Sequence, residues 1–189
     1  MGLGQQGIAI NQGTANVSVF KNDEGNKIIQ LSNNMLTVNR LPSYIGWENF
    51  EQDIIESLDA LKKNIEIKLY NRVGLKFINK IDIEESTIDG LKKYFEAYPN
   101  YISKNKNIKG MQYLMEFPIE GNNEINSILI ATILPEKGYK VPIIYQLYAA
   151  KISNLRFSEF EEWISNAHIK LKKLFQDNLT DFCKRKFDE

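Results

Sequence analysis

The segment IEIKLYNRVGLKFINKIDI, residues 65–83, decides the fold that this sequence predicts. Apolar residues occupy most of its odd positions, and charged or polar residues occupy most of its even positions. Because side chains alternate between the two faces of a strand, the pattern predicts one strand with a buried face and a solvent-exposed face. We expect this strand to lie in the middle of a sheet and to connect its two halves.

The length of the segment predicts an interruption. At about 3.3 Å per residue, an unbroken strand would span about 60 Å, which exceeds the usual strand length. We therefore expect a bend or a bulge, at Gly74 or alternatively at Asn71 or Asn79.

The flanking segments predict the remaining elements. Those before residue 65 predict three strands and a helix: Ala15–Lys21, Lys27–Leu31, Met35–Arg40, and a helix from Trp47 to about Lys63. Those after residue 83 predict a short helix capped by Ser86, three strands (Met111–Phe117, Ser127–Leu134 and Val141–Ile152), and a long helix that begins with a capping box of Ser158 and Glu161.

This order of elements predicts the α+β class. The sheet is mainly antiparallel, with helices packed on one side. The order βββα followed by βαβββα is consistent with a duplicated βαβββα unit whose first half is truncated. In this interpretation residues 1–14 form a loose N-terminal segment, and residues 15–189 form a single domain.

The composition narrows the class of protein. Lys+Arg and Asp+Glu both number 24, so the formal net charge of +0 does not favour a nucleic acid or an anionic membrane as partner. The single cysteine, Cys183, cannot form an internal disulfide, which favours a reducing compartment. No apolar run reaches the roughly 18 residues of a membrane span, and no apolar leader opens the chain. The sequence therefore predicts a cytoplasmic protein with no membrane partner.

Residues that commonly carry catalysis are sparse. His168 and Cys183 are the only histidine and the only cysteine, and on one continuous helix they would lie about 22 Å apart, too far for a thiol–imidazole pair. One histidine and one cysteine also cannot form a zinc site within one chain. We expect no catalytic residue, no metal and no cofactor. Whether the protein is an enzyme stays open, and a non-enzymatic role is favoured.

The even positions of residues 65–83 provide the first candidate binding surface. They carry cations beside one aromatic residue: Lys68, Tyr70, Arg72, Lys76 and Lys80. On one strand these side chains point to the same face, where they could bind the phosphates and bases of a single-stranded nucleic acid, or an acidic partner. The alternative is a solvated sheet face whose charges pair with neighbouring strands.

The segment before the first predicted helix provides a second candidate. Arg40, Tyr44 and Trp47 combine a cation with large aromatic side chains, a composition typical of interface anchors. The alternative is that Trp47 belongs to the core, because it shares helical spacing with Phe50 and Ile54.

Three segments carry a resemblance to a known family: VNRLPSYIGWENF (residues 38–50), YNRVGLKFINKIDI (residues 70–83) and HIKLKKLFQDNLTD (residues 168–181). In this order they resemble a group of uncharacterised bacterial and phage-associated proteins that is named for its sporadic distribution across genomes. The resemblance covers the chain from about Val17 onward. It implies no activity, but it implies an accessory role in a phage-defence or mobile-element system. Because the relatives look longer at the start by a strand and a helix, it also implies pairing with a second chain.

Together these observations predict a non-enzymatic binding or scaffolding protein that acts through protein–protein contacts, as a homo-oligomer or with a partner protein. Two alternatives stay open. One is a nucleic-acid-binding protein that uses the basic strand face. The other is a sensor of a small, nucleotide-like molecule that binds between the two half-units.

Overall fold

A computed structural model describes residues 16–42, 44, 46–84, 87–100, 108–133 and 141–187, and only the backbone of residue 141. The chain divides into two compact units, Met1–Glu66 (unit 1) and Ile67–Glu189 (unit 2). That residues 15–189 act as one domain stays a prediction. The predicted loose segment, residues 1–14, lies outside the described residues.

Unit 1 contains a three-stranded antiparallel sheet of order β1-β2-β3 and one helix. Its elements are β1 (Ser18–Lys21), β2 (Lys27–Ser32), β3 (Met35–Arg40) and α1 (Trp47–Lys62). All four elements follow the sequence prediction to within a few residues. The predicted turn before β2 contains Gly25 at φ 71°, a left-handed conformation that glycine adopts without strain.

The buried apolar side chains of unit 1 lie on its helix. Phe50, Ile54 and Leu58 of α1 are buried, as their three- and four-residue spacing predicts. By contrast, every residue of β1 is exposed, and none in β2 or β3 is fully buried.

An ion cluster joins α1 to the sheet of unit 1. Asp53 of α1 is only 7% exposed, and its carboxylate lies 2.6 Å from Nη2 of Arg40 and 2.7 Å from Nζ of Lys27. The Nε of Arg40 also donates to Asp53, and its Nη1 donates to the Asn26 side chain at 3.0 Å. A buried carboxylate is tolerated only when it is paired and hydrogen-bonded in this way.

Unit 2 contains two antiparallel sheets and three helices within its described residues. The strands are β4 (Leu69–Tyr70), β5 (Val73–Ile83), β6 (Gln112–Ile119), β7 (Glu124–Thr132), β8 (Val141–Lys151) and β9 (Leu155–Arg156). The helices are α2 (Ile88–Tyr94), α3 (Phe160–Asn178) and α4 (Asp181–Arg185). Strands β4 and β9 pair with each other, and the larger sheet has the order β5-β8-β7-β6.

The prediction of one long strand in the middle of a sheet is wrong on two points. Residues 65–83 form two strands, β4 and β5, which are separated by Asn71 and Arg72 and belong to different sheets. The interruption therefore lies at the alternative Asn71, not at Gly74, which pairs with Ala150 inside the ladder. Strand β5 also lies at the edge of its sheet, because β8 is the only described strand that pairs with it.

The alternation of side chains changes at this interruption. In β5 the odd positions face inward as predicted, and Leu75, Ile81 and Ile83 are at most 5% exposed. Before the interruption, Leu69 is 49% exposed, whereas Tyr70 packs on the ring of Phe160 at 5.4 Å. The apolar pattern is the same on both sides, but the break reverses which set of side chains is buried.

One face of the four-stranded sheet carries the core of unit 2, and we call it the helix face. Tyr145 of β8 is fully buried between the ring of Phe95, which follows α2, and the ring of Phe175 in α3. Phe77 of β5 meets His168 of α3 with ring centroids 6.0 Å apart. Helices α2 and α3 therefore cover the same face of the sheet, as the α+β prediction requires.

The C-terminal residues add a further turn of helix. Thr180 accepts a hydrogen bond from the backbone N–H of Cys183 and caps α4, while its own N–H donates to the carbonyl of Tyr94. The Glu96 N–H donates to the carbonyl of Asn178 at 2.9 Å. These bonds fix the end of α3 and the start of α4 against α2.

The N-terminal caps of α2 and α3 differ from the caps that the sequence predicts. Thr87 caps α2 by accepting from the Gly90 N–H at 3.0 Å, while the predicted Ser86 lies outside the described residues. The predicted capping box of Ser158 and Glu161 is wrong, because residues 157–159 form a 3₁₀ turn before α3. There the side chain of Glu159 accepts a hydrogen bond from the N–H of Arg156.

The fold class is α+β, with antiparallel sheets and helices packed beside them. The proposed duplication stays a prediction. No helix within the described ranges is long and apolar enough to cross a membrane.

Candidate interaction surface

The second face of the four-stranded sheet, which we call the open face, is a regular array of side chains. Residues that lie directly opposite in an antiparallel ladder point to the same face, so the strand pairing defines rows across the sheet. The three central rows are Lys76–Tyr148–Ser127–Glu116, Ile78–Gln146–Leu129–Leu114 and Lys80–Ile144–Ala131–Gln112.

The middle row provides an exposed apolar surface. Ile78 is 61% exposed on β5 and Leu114 is 51% exposed on β6, at opposite ends of the row. Leu129 lies between them and is half-buried, as is Ile144 in the next row. Within the row Gln146 separates Ile78 from Leu129. Groups of exposed aliphatic side chains on one sheet face are typical of contact surfaces, whereas scattered single ones are ordinary.

Cations line the β5 edge of this surface. Lys76 and Lys80 flank Ile78 on the same face, and Arg72 lies just before the strand; all three are exposed. No carboxylate of the described residues lies within 4 Å of these three cations. Within the described residues the same face carries two carboxylates, Asp82 at the end of β5 and Glu116 at the opposite edge. The open face is therefore positive at β5 and apolar in the middle.

Tyr148 occupies the basic side of the face in a fixed position. Its hydroxyl accepts a hydrogen bond from Nη2 of Arg72 at 3.0 Å, and Nζ of Lys76 lies 5.5 Å from its ring centroid. The ring lies over Gly74, where an added Cβ would stand only 2.8 Å from two atoms of Tyr148. Glycine thus leaves the space that the ring fills.

The structure divides the first candidate binding surface, which the sequence predicted on the even positions of residues 65–83, into two parts. Arg72, Lys76 and Lys80 share the region of the open face around Tyr148 and Ile78. Lys68 and Tyr70 lie before the interruption, where the strand belongs to the other sheet. Burial raises the pKa of Tyr70 to about 12, and its ring contacts Phe157 and Phe160. Tyr70 is therefore a half-buried aromatic residue that packs beside the start of α3.

The second predicted group lies in unit 1. Arg40 is held by Asp53 and Asn26, which gives it a structural role in joining α1 to β3. Tyr44 is 48% exposed, and its pKa is raised by partial burial and by the charge of Glu48. Trp47 begins α1, half-buried, with its ring against Phe50 at 6.2 Å.

Sequence reasoning missed the middle of the open face. It did not bring Tyr148 next to Lys76, or Leu114 into one row with Ile78. Both of these contacts depend on the order of the strands in the sheet, which leaves no local signal in the sequence. The alternation within β6 indicates only that Leu114 and Glu116 share a face.

The cysteine and the histidine, the residues most often used in catalysis, pack against other parts of unit 2. Cys183 is fully buried, and burial raises the pKa of its thiol to about 11, although Lys186 acts in the opposite direction. His168 packs against Phe77. Within the described ranges no three His, Cys, Asp or Glu side chains converge to hold a metal ion. A pocket beside α2, lined by Leu91, Phe95 and Tyr113 among others, has no room for a water molecule.

Comparisons with protein-family models, with curated proteins and with solved structures found no match for this chain.

Proposed function

We propose that this chain is a non-enzymatic binding protein that contacts a partner protein through the open face of its four-stranded sheet. The observation that carries the proposal is the row Ile78–Gln146–Leu129–Leu114, which is aliphatic except for Gln146 and has an exposed residue at each end. It lies on the sheet face opposite the one that α2 and α3 cover. Protein interfaces combine an apolar centre with a polar rim, and this face has that arrangement.

Charge indicates the chemistry of the partner. The rim at β5 carries Arg72, Lys76 and Lys80, which outnumber Asp82 on the same face of that strand. No described carboxylate lies within 4 Å of these three cations. A partner surface that presents aliphatic side chains beside carboxylates would bury the strip and pair with these cations. Complementary charge of this kind chiefly accelerates association and excludes wrong partners, while the buried apolar centre contributes most of the affinity. The resemblance to the sporadically distributed family suggests that such a partner belongs to a phage-defence or mobile-element system.

A peptide panel tests this assignment. Labelled peptides that alternate Glu with Leu are compared with peptides that alternate Lys with Leu, and binding is followed by fluorescence anisotropy. We expect only the acidic peptide to bind. The double substitution Ile78→Ser and Leu114→Ser should weaken its binding at least tenfold, whereas Ile169→Ser, at a 64% exposed site on α3, should not. Equal weakening by both variants, or failure of the acidic peptide to bind, would count against the proposal.

A single-stranded nucleic acid is the second candidate, and the unpaired cations beside Tyr148 favour it. Stacking platforms need aromatic rings that are free to receive a base. Here the ring of Tyr148 lies over Gly74, and Arg72 and Lys76 both lie within 6 Å of its centroid. This ranks the nucleic acid below a protein partner. A labelled oligothymidylate separates the two. If a nucleic acid is the ligand, binding should weaken steeply with salt and depend on Lys76 and Lys80 more than on Ile78.

The sensor of a small molecule bound between two half-units stays a prediction. A thermal shift with a nucleotide panel tests it, because a ligand that binds only the folded chain raises the melting temperature.

A further inference from the structure

The exposed edge of unit 1 provides an observation that is independent of the proposed function. Among the strands that the structure describes, β1 is the outer strand of its sheet and pairs only with β2. Every residue of β1 is exposed, and apolar side chains emerge on both of its faces. Val19 is 50% exposed on one face, and Phe20 is 55% exposed on the other. An edge strand that exposes apolar groups and unpaired backbone is a template for pairing with another strand.

The hydrogen-bond pattern shows which backbone groups are available. The N–H of Asn22 donates to the carbonyl of Lys27 in β2, so Asn22 is directed towards β2. Because hydrogen-bonded and non-hydrogen-bonded pairs alternate along an antiparallel ladder, Phe20 and Ser18 are also directed towards β2. The N–H and C=O groups of Val19 and Lys21 therefore point away from the sheet, at its free edge.

We infer that the free edge of β1 pairs with β1 of a second copy of this chain, in an antiparallel, two-fold arrangement centred on Val19. Two-fold symmetry makes Val19 face Val19 of the second copy, and it makes Lys21 face Val17. The outward N–H and C=O groups of Val19 then bond to their symmetry equivalents. Two three-stranded sheets become one sheet of six strands.

Side-chain chemistry favours a second copy as the occupant. In the two-fold register no like charges lie directly opposite, because Lys21 faces Val17, which is 44% exposed. On the other face of the sheet Phe20 lies opposite Ser18, whose small side chain leaves room for the ring. The formal net charge of +0 removes long-range repulsion between copies. Because only a few residues from each copy meet, the contact is at the small end of specific interfaces and the dimer is a weak one.

A charge-swap experiment tests the pairing and its symmetry. Wild-type protein, Val19→Lys and Val19→Glu are measured by sedimentation velocity from micromolar to near-millimolar concentration. We expect wild type to be dimeric at the upper end. Each variant alone should stay monomeric, because two-fold symmetry places like charges opposite each other. An equal mixture of the variants should recover the dimer, since Lys then faces Glu.

The mixture also guards against misfolding, because an unfolded variant would not be rescued by its partner variant. Met35→Lys is the matched control: Met35 is 56% exposed in the same sheet but lies on β3, and the variant should dimerise like wild type. A monomeric wild type would overturn the inference. If the amide hydrogen of Val19 also exchanged slowly in that monomer, another part of the same chain would cover the edge, and this result would overturn the inference too. Failure of the mixture to dimerise, or loss of the dimer in Met35→Lys, would overturn it as well. None of these results depends on the open face of unit 2, so the two proposals fail separately.

Discussion

The two units of this protein stabilise their sheets by different means. In unit 2, helices α2 and α3 cover one face of the four-stranded sheet, and residues such as Ile143, Leu147 and Tyr145 are at most 1% exposed. In unit 1 no residue of the three strands is fully buried, and the helix is joined to the sheet by the buried carboxylate of Asp53. The difference shows that the sheet of unit 2 has a buried apolar face of its own, whereas in unit 1 a charge cluster supplements the buried apolar residues of α1. Among the described strands of unit 1, β1 also has one edge without a partner.

The largest effect is expected in the core of unit 2. Leu171 of α3 is 0% exposed, so Leu171→Ala removes buried methyl groups and leaves a cavity, at a cost of about 3 kcal/mol in the free energy of unfolding. Ile169→Ala, two residues away on the same helix at a 64% exposed site, should change it by less than about 0.5 kcal/mol. Urea unfolding measures both, and equal costs would contradict the packing described for unit 2.

A somewhat smaller effect is expected from the charge cluster of unit 1. Asp53→Asn leaves Arg40 and Lys27 without their carboxylate and should cost about 2 kcal/mol, less than a fully buried pair would, because Lys27 keeps 22% of its side chain exposed. Amide hydrogen exchange should become faster in β2 and β3 and stay unchanged in β8. The control is Asp59→Asn on the same helix, where the pair with Lys62 is exposed and contributes little. Faster exchange in β8 with unchanged exchange in β2 would show that the cluster does not stabilise unit 1.

Alkaline pH should weaken unit 2 through Cys183. Burial raises the pKa of this thiol from 9.0 to about 11, so the folded chain holds the proton more tightly than the unfolded chain does. The stability that this provides is complete below pH 9 and is lost as the pH rises towards 11. Burial raises the pKa values of Tyr70 and Tyr145 as well, and both add to the loss above pH 10. In Cys183→Ala the urea midpoint should fall less steeply between pH 9 and 10 than in wild type; an identical slope would exclude the thiol as a cause.

The smallest effect concerns the open face itself. Gly74→Ala forces the ring of Tyr148 away, because the new Cβ would stand 2.8 Å from it, and should cost about 1 kcal/mol. In a Tyr148→Ala background the same substitution should instead stabilise the strand by about 0.5 kcal/mol, since alanine is less flexible than glycine. This double-mutant cycle isolates the contact. Additive effects would mean that Tyr148 does not lie over Gly74.

Local patterns predicted local structure well. The alternation of Leu75, Ile81 and Ile83 predicted the buried face of β5, and the spacing of Phe50, Ile54 and Leu58 predicted the buried side of α1. The same alternation could not show that the strand breaks at Asn71. The sequence therefore predicted one face shared by Lys68, Tyr70 and Lys76, whereas the structure places the segments before and after the break in different sheets.

Properties set by distant residues were not accessible from the sequence. Arg40 was predicted as an interface anchor because it lies near Tyr44 and Trp47 in the sequence. Its pairing with Asp53 could not be predicted, because Asp53 follows it by thirteen residues across a loop that gives no pairing signal. The edge position of β5 follows from strand order, which its own residues do not encode. The middle row of the open face depends on four strands in register, so its residues could be placed on faces but not next to one another.

Site-specific cross-linking in the cells that make this protein tests most directly whether the open face binds a partner. A photoreactive phenylalanine is placed at position 78 on the open face or at position 169 on α3, both of which hold exposed isoleucines. We expect a discrete adduct from position 78 that protease removes and nuclease does not, and none from position 169. An adduct from position 169 alone, no adduct from either position, or an adduct from position 78 that only nuclease removes would contradict the account.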